Sequence, residues 1–200
     1  MLIVQGNADA RAGIRLSGAD MIIGGQVTKP IPEVEHGNIG VHANIKGFAF
    51  EYMTNGRGLV LGDPGPWICA GMTGGVVYLR HQPEMGLTKA ALERRIAKGA
   101  NVAIQPLNEK GKADVKELLR TYIDLLIEHE QHEEAATLQP LLEQPEQHFF
   151  QVIPKKNKPI HPYRQNKRQK ELPQKMGQFL LIFSFYLDIL MKNMYICLLF

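Results

Sequence analysis

GFAFEYMTNGRGLVLGDPGPWICAGMTGGVVYL, residues 47–79, is a run of short apolar segments cut by glycines at nearly regular intervals. Laid on itself with an offset of 19 residues, it places Met53 and Thr54 on Met72 and Thr73, Gly56 on Gly75, Leu59 on Tyr78 and Val60 on Leu79. An offset of 38 places Met21, Ile22, Ile23 and Gly24 on Leu59, Val60, Leu61 and Gly62, so the period reaches upstream. A period of about twenty residues, built of short strands with glycine at the corners, predicts an all-β solenoid, a parallel β-helix. One coil cannot bury its apolar face alone, and stacking would set Leu59 directly over Tyr78. The glycines would supply corner dihedrals that branched side chains adopt only at a cost. A small antiparallel sandwich is the competing architecture, since its strands recur every 8–12 residues or so. Its hairpins should alternate polar and apolar residues, and residues 58–61 and 75–79 do not.

Working outward, residues 1–80 are expected to hold the coils, with strands at residues 2–4, 13–17 and 21–23. A loop insertion is expected over about residues 26–42, because Pro30 and Pro32 forbid a central strand there. Val41, which the 19-residue offset pairs with Ile22, would begin another coil. Residues 81–154 change character and predict a helical and strand cap over the end of the stack. Thr88 suits the N-cap of a helix from Lys89 to Lys98 that Gly99 ends, and residues 102–107 read as a strand. Val115, Leu118, Leu119, Tyr122, Ile123, Leu125 and Leu126 recur at helical spacing. A further helical run, residues 134–142, is interrupted by Pro140. Residues 155–200 form a basic linker and an apolar tail.

The charge is unevenly placed. Residues 155–200 hold nine Lys and Arg against Glu171 and Asp188, which leaves 14 basic against 18 acidic residues in 1–154. The folded part is therefore mildly acidic, which argues against nucleic acid as a partner. Cys69 and Cys197 are the only cysteines, too few and too far apart for a disulfide framework, a zinc site or an iron–sulfur cluster. Cys69, within an apolar run, is expected to pack as a small hydrophobe. The N-terminus lacks a basic n-region and a long apolar stretch, and with this cysteine usage a cytoplasmic location is expected. Residues 179–200 are largely apolar but broken by Ser184, Asp188, Lys192 and Asn193, short of the roughly 20 apolar residues that span a bilayer. That tail admits membrane contact as an interfacial or tail anchor, and equally a non-native C-terminus such as translation past an altered reading frame.

Several constellations invite a chemical reading. His129, His132 and Glu133 have spacings that can place ligands on one helix face, yet no third ligand set follows and a solvated helix terminus accounts for them. Gly56, Gly58 and Gly62 resemble a nucleotide fingerprint but lead into a strand, where no helix N-terminus would meet a phosphate. Corner glycines explain them more simply. Asp20, Glu51 and Asp63 could serve as paired acids of a polysaccharide-acting enzyme, or could only cap and solvate turns. Trp67 follows Gly65-Pro66 and is expected to fill the core or a corner. No catalytic, cofactor-binding or metal-ligating residue is assigned in this chain.

Ser17-Gly18-Ala19, Glu51-Tyr52-Met53-Thr54-Asn55-Gly56, Val60-Leu61-Gly62 and residues 70–78, AGMTGGVVY, resemble the C-terminal GXGXG domain of the glutamate synthase large subunit. Pro83-Glu84, residues 102–107 (VAIQPL), a helix ending near His129 and residues 150–154 (FQVIP) continue the resemblance in order, so that it covers about residues 1–157. The resemblance implies a right-handed β-helix. It implies an assembly role in an oxidoreductase that makes glutamate from glutamine and 2-oxoglutarate. FMN and a 3Fe–4S cluster are then expected on partner domains, with the FMN and amidotransferase domains or subunits as partners. The alternative is a stand-alone β-helix binding module, or a subunit similar to the β-helical one of formylmethanofuran dehydrogenase. Two departures stand out: the insertion at 26–42 is longer than the family's usual connection, and the chain starts where the family's β-helix is already under way. Residues 1–10 are therefore expected to dock on another subunit, or the chain is a fragment.

Overall fold

The computed structural model describes residues 1–31, 40 and 43–155. Of the sequence readings, Val41, most of the 26–42 insertion and the tail at 179–200 lie outside the described residues. Residues Met1–Lys155 form one unit. Its sheet has six strands in the order β1-β2-β3-β4-β6-β5. The strands are β1 (Leu2–Val4), β2 (Ser17–Ile23), β3 (Asn55–Val60), β4 (Val76–Arg80), β5 (Val102–Pro106) and β6 (Phe149–Pro154). Neighbours among β1 to β4 run parallel, whereas β6 lies antiparallel between β4 and β5.

The register carries part of the repeat. Leu59 pairs with Tyr78 and Val60 with Leu79, as the 19-residue offset requires, and Leu2 pairs with Met21 at the same step. Between β2 and β3 the expected step of 38 is wrong by one, because Ile22 pairs with Leu59 and Ile23 with Val60. A one-residue slip exchanges the two faces of a strand. The observed register keeps Ile22, Leu59 and Tyr78 on one face and Ile23, Val60 and Leu79 on the other. An irregularity between Ser17 and Asp20 accompanies the change of step.

The solenoid expectation is overturned. In place of an all-β right-handed parallel β-helix with a helical cap at its end, the chain builds an open mixed sheet with helices on a face. The failure of residues 58–61 and 75–79 to alternate has another cause: the strands are covered on both sides, which makes continuous apolar runs. On one face α2 (Glu109–Glu128) lays Val115, Leu118, Leu119, Tyr122, Ile123 and Leu126 against Ile22, Leu59, Leu61 and Tyr78. Those six positions repeat every three or four residues, and Asn108 starts the helix by accepting the Gly111 N–H at 2.7 Å. The helix α3 (His132–Leu138) and a 3-10 turn at Gln139–Leu142 extend this layer, with Pro140 early in the turn. The short α4 (Pro145–His148) leads into β6.

On the opposite face the cover is irregular backbone. Three loop segments, residues 10–16, 47–53 and 66–72, stack as rungs. Every second residue of each has positive φ: Arg11, Gly13 and Arg15; Phe48, Phe50 and Tyr52; Trp67, Cys69 and Gly71. Outside glycine that conformation is uncommon and costs roughly 1–2 kcal/mol per residue. Cross-rung hydrogen bonds answer it. The N–H of Arg11 donates to Gly47 O at 2.8 Å, Phe50 to Ala12 O at 2.8 Å, Phe48 to Pro66 O at 2.9 Å and Tyr52 to Ala70 O at 2.7 Å. Residues 13–17, expected as a strand, therefore contribute a left-handed rung and only then enter β2. Phe50, Met53, Ile68, Cys69 and Met72 point inward from the rungs onto Met21, Ile23, Val60, Val77 and Leu79.

The helix α1 (Lys89–Arg95) closes the far side of this cluster with Leu92, and Thr88 Oγ1 caps it by accepting the Ala91 N–H at 3.2 Å. It ends at Arg95, short of the expected Lys98. Among the described residues no helix is long and apolar enough to cross a membrane.

Two glycines hold the rungs to their neighbours. A Cβ at Gly65, where φ is +72°, would fall on the carbonyl oxygen of Ile45, and one at Gly74 would fall on the carbonyl oxygen of Thr54. Gly65→Ala and Gly74→Ala should each destabilise the fold by about 2–3 kcal/mol in urea unfolding. Gly99→Ala, with nothing within 4 Å of its Cβ and φ +84°, should cost only the left-handed penalty of about 1 kcal/mol. Equal losses at all three positions would show that cross-rung contact is not the cause.

Candidate functional site

The first turn of α2 and the N-terminal parts of β2, β3 and β4 enclose a cleft of about 420 Å³ lined by Asp20, Asn55, Arg57, Tyr78, Asn108, Lys110, Asp114 and Gln151, among others. Arg57 stands on β3 between Asp20 of β2 and two acids of α2. Its Nε donates to Asp20 Oδ1 at 2.8 Å and its Nη2 to Asp20 Oδ2 at 2.7 Å. Nη1 donates to Asp114 Oδ1 at 3.0 Å and Glu117 Oε2 at 2.8 Å, while Nη2 also reaches Glu117 Oε1 at 3.2 Å. A guanidinium has five N–H donors, and these five bonds use them all. Arg57 is thus a clamp between strand and helix, with no donor left for an anionic ligand.

Electrostatics follow from the clamp. Hydrogen bonding to Arg57 holds the Asp20 and Glu117 carboxyls below their usual range. Burial pushes Asp114 upward, but hydrogen bonds from Lys110, Tyr78 and Arg57 together outweigh it and its carboxyl also lies low. Asp114 Oδ2 accepts the Tyr78 hydroxyl at 2.7 Å and Lys110 Nζ at 2.8 Å. Desolvation first, and then this bond to Asp114, raises the Tyr78 phenol. A phenol so held is a poor acid at neutral pH. Gln151, 3% exposed, lines the same cleft, and its side-chain amide has no hydrogen-bond partner among the described residues. The cleft can therefore accept a small polar guest through amide groups, while its charged residues serve the fold.

The three acids singled out from sequence do not converge. Asp20 belongs to the Arg57 clamp. Asp63 is 1% exposed and forms a buried fork with Arg95, at 2.5 Å to Nε and 2.6 Å to Nη2. Its Oδ1 also accepts the Gly65 N–H, and Asn44 Oδ1 holds the Asp63 N–H at 2.7 Å. Glu51 lies on the second rung, 3.7 Å from Arg11.

His129 and His132 do not share a helix. Glu130 has φ +59°, which stops α2 at His129, and α3 begins at His132. Among the described residues no group of three or more His, Cys, Asp or Glu could hold a metal ion. Gly56 and Gly58 lie inside β3 and not at corners. A Cβ on Gly58 would meet the Phe50 ring at 2.5 Å, so this glycine admits the inward side chain of a rung.

Trp67 is not a core filler: it is 52% exposed and stacks on Phe48, with ring centroids 5.1 Å apart. Cys69 is fully buried, and desolvation pushes its thiol up to about 12. With two cysteines in the chain, one of them so placed, the donor set does not fit an iron–sulfur cluster. Arg57, Asp114 and Gln151 were not singled out from sequence. Arg57 sits between two glycines that drew attention to the backbone, and its partners are remote, Asp114 being 57 residues away.

Among known protein families, the model described as GXGXG motif matches residues 34–155, more than half of the chain. No curated protein matches the chain.

The carboxylates at Arg57 are depressed in the folded state, so their contribution is present above the ordinary carboxylate range and lost as pH falls through their folded values. Urea midpoints should therefore drop as pH is lowered below about 4. In Arg57→Gln that drop should shrink, because the carboxylates return toward their unfolded values; parallel profiles would refute the linkage. Asp63→Asn leaves the Arg95 charge buried and should cost about 3–5 kcal/mol in urea unfolding, whereas exposed Asp9→Asn should leave the urea midpoint close to wild type.

Proposed function

Because the chain belongs to the GXGXG motif family, we propose that it is a structural and assembly domain of a glutamate synthase. In this reading it holds the amidotransferase and FMN domains or subunits in register and performs no turnover alone. The observation that carries the reading is the family match over residues 34–155. The FMN and the 3Fe–4S cluster belong to the partners, consistent with a chain whose described cysteine is an inert, buried thiol. The setting is cytoplasmic.

The Arg57 clamp suits a scaffold, since a guanidinium with all donors engaged fixes strand to helix and binds nothing else. One observation favours a second reading, a stand-alone binding module. Gln151 presents an unpaired amide to a cleft of about 420 Å³, within the usual size range of small-molecule sites.

Co-purification from the native source separates the two. The assembly reading expects the chain to elute with an FMN protein, an iron–sulfur protein and glutamate-forming activity. Recovery of the chain alone, with neither protein, would overturn that reading in favour of the binding module.

A further inference from the structure

Four of the seven large hydrophobic side chains that stand exposed among the described residues, Ile14, Phe48, Tyr52 and Trp67, lie on the three rungs. Such grouping differs from the scattered apolar residues that any surface carries. Three of the four, Phe48, Tyr52 and Trp67, sit on left-handed backbone. Strained backbone persists where the surroundings over-determine it, and it clusters at functional surfaces. Here it turns aromatic side chains outward in register, while Phe50 and Cys69 between them turn inward.

The aromatic groups are ordered before any partner arrives. Phe48 and Trp67 stack at 5.1 Å and 26°, and the Arg11 guanidinium lies 6.0 Å from the Phe48 ring centroid. Pre-ordered side chains spare the entropy that binding would otherwise cost, and Trp, Tyr and Arg are the residue types that dominate binding energy at interfaces.

Charge decides the kind of partner. The rungs and the 94–98 segment beside them, joined through the Ile68 N–H to Arg95 O, carry Arg11, Arg15, Lys46, Arg94 and Lys98 as exposed cations. Among the described residues, the acids beside them are Asp9, the half-buried Glu51 and Glu93, each already next to a cation, Lys46, Arg11 and Lys89. This face is basic on a chain whose residues 1–154 hold more acidic than basic groups.

We propose that the face bearing Phe48, Tyr52 and Trp67 is a docking surface for an acidic, apolar-centred surface of a partner protein. The proposal rests on the assembly reading above and names where assembly occurs. Apolar aromatic edges take the centre of the contact and the Arg and Lys rim steers the acidic partner. A nucleic acid is the poorer fit, because Phe48 and Trp67 spend one ring face on each other where bases would stack.

The test uses the full chain and, as probe, the purified FMN-domain protein of a glutamate synthase. Binding is measured by calorimetry for wild type, Phe48→Asn/Trp67→Asn, Arg11→Glu/Arg15→Glu and Ile127→Asn. Asn tolerates left-handed backbone, so the double aromatic variant should keep its circular dichroism and urea midpoint. Expected are a loss of about tenfold or more for the aromatic pair, and a loss for the charge pair that shrinks at high salt. Ile127→Asn, on the outer side of α2, should bind as wild type.

Equal binding by wild type and the aromatic pair would overturn the surface and leave the assembly reading standing. Unchanged or tighter binding by the charge pair would overturn the acidic partner. No binding by any form would overturn the assembly reading and this proposal with it. Displacement of the probe by a polythymidine oligonucleotide would show that the face takes nucleic acid instead.

Discussion

Hydrogen bonds between rungs are donated by residues whose backbone is left-handed, and the layer beneath the sheet depends on them. The N–H groups of Arg11, Arg15, Phe48, Phe50, Tyr52 and Cys69 all reach carbonyls of a neighbouring rung at 2.7 to 2.9 Å. Each left-handed residue costs roughly 1–2 kcal/mol, and a buried N–H without a partner costs about 1–3 kcal/mol. The two terms are of one size, so neither the conformation nor the bond stands alone. A rung keeps its shape only while its neighbour supplies carbonyls, and the parallel strands β1 to β4 hold those neighbours one step apart. The inward side chains of the rungs then complete the apolar cluster that covers one face of the sheet.

What the sequence revealed was spacing. Leu59 over Tyr78, the Thr88 cap and the apolar stripe of α2 were legible because each is a local or periodic pattern. What lay on the faces of the strands was not. A 19-residue step fixes register between neighbours but carries no information on whether a helix or another coil covers them, so α2 was expected over the end of a stack and lies across its face. Strand β6 enters antiparallel between β4 and β5, although β5 is nearer to β4 in the chain. The rungs were missed for a sharper reason: positive φ is signalled by glycine, and seven of their left-handed residues have side chains. Trp67, expected to fill the core or a corner, stands outward on its rung and stacks on Phe48, while the equally left-handed Phe50 and Cys69 face the core.

The polar clusters were hidden by chain separation. Asp20 and Asp63 were visible as candidates, but each meets an arginine 37 or 32 residues away, and the two clusters are separate. Arg57 spends every donor and Asp63 is buried with Arg95, which makes both acids parts of the framework. Gln151, whose side-chain amide lines the cleft, lies on β6, the strand whose placement the sequence did not disclose.

The stacked rungs also govern how the chain could change in length. Removing or adding a single residue within 10–16, 47–53 or 66–72 would move every later residue of that rung off the carbonyl or N–H it meets on the neighbouring rung. Inheritable insertions should therefore collect in the connections, or come as whole steps that restore the phase. The interval from β2 to β3, 37 residues between Met21 and Gly58 against 19 between Gly58 and Val77, already shows such tolerance. Gene-length variation in this domain should be quantised by the geometry of its backbone before it is filtered by function.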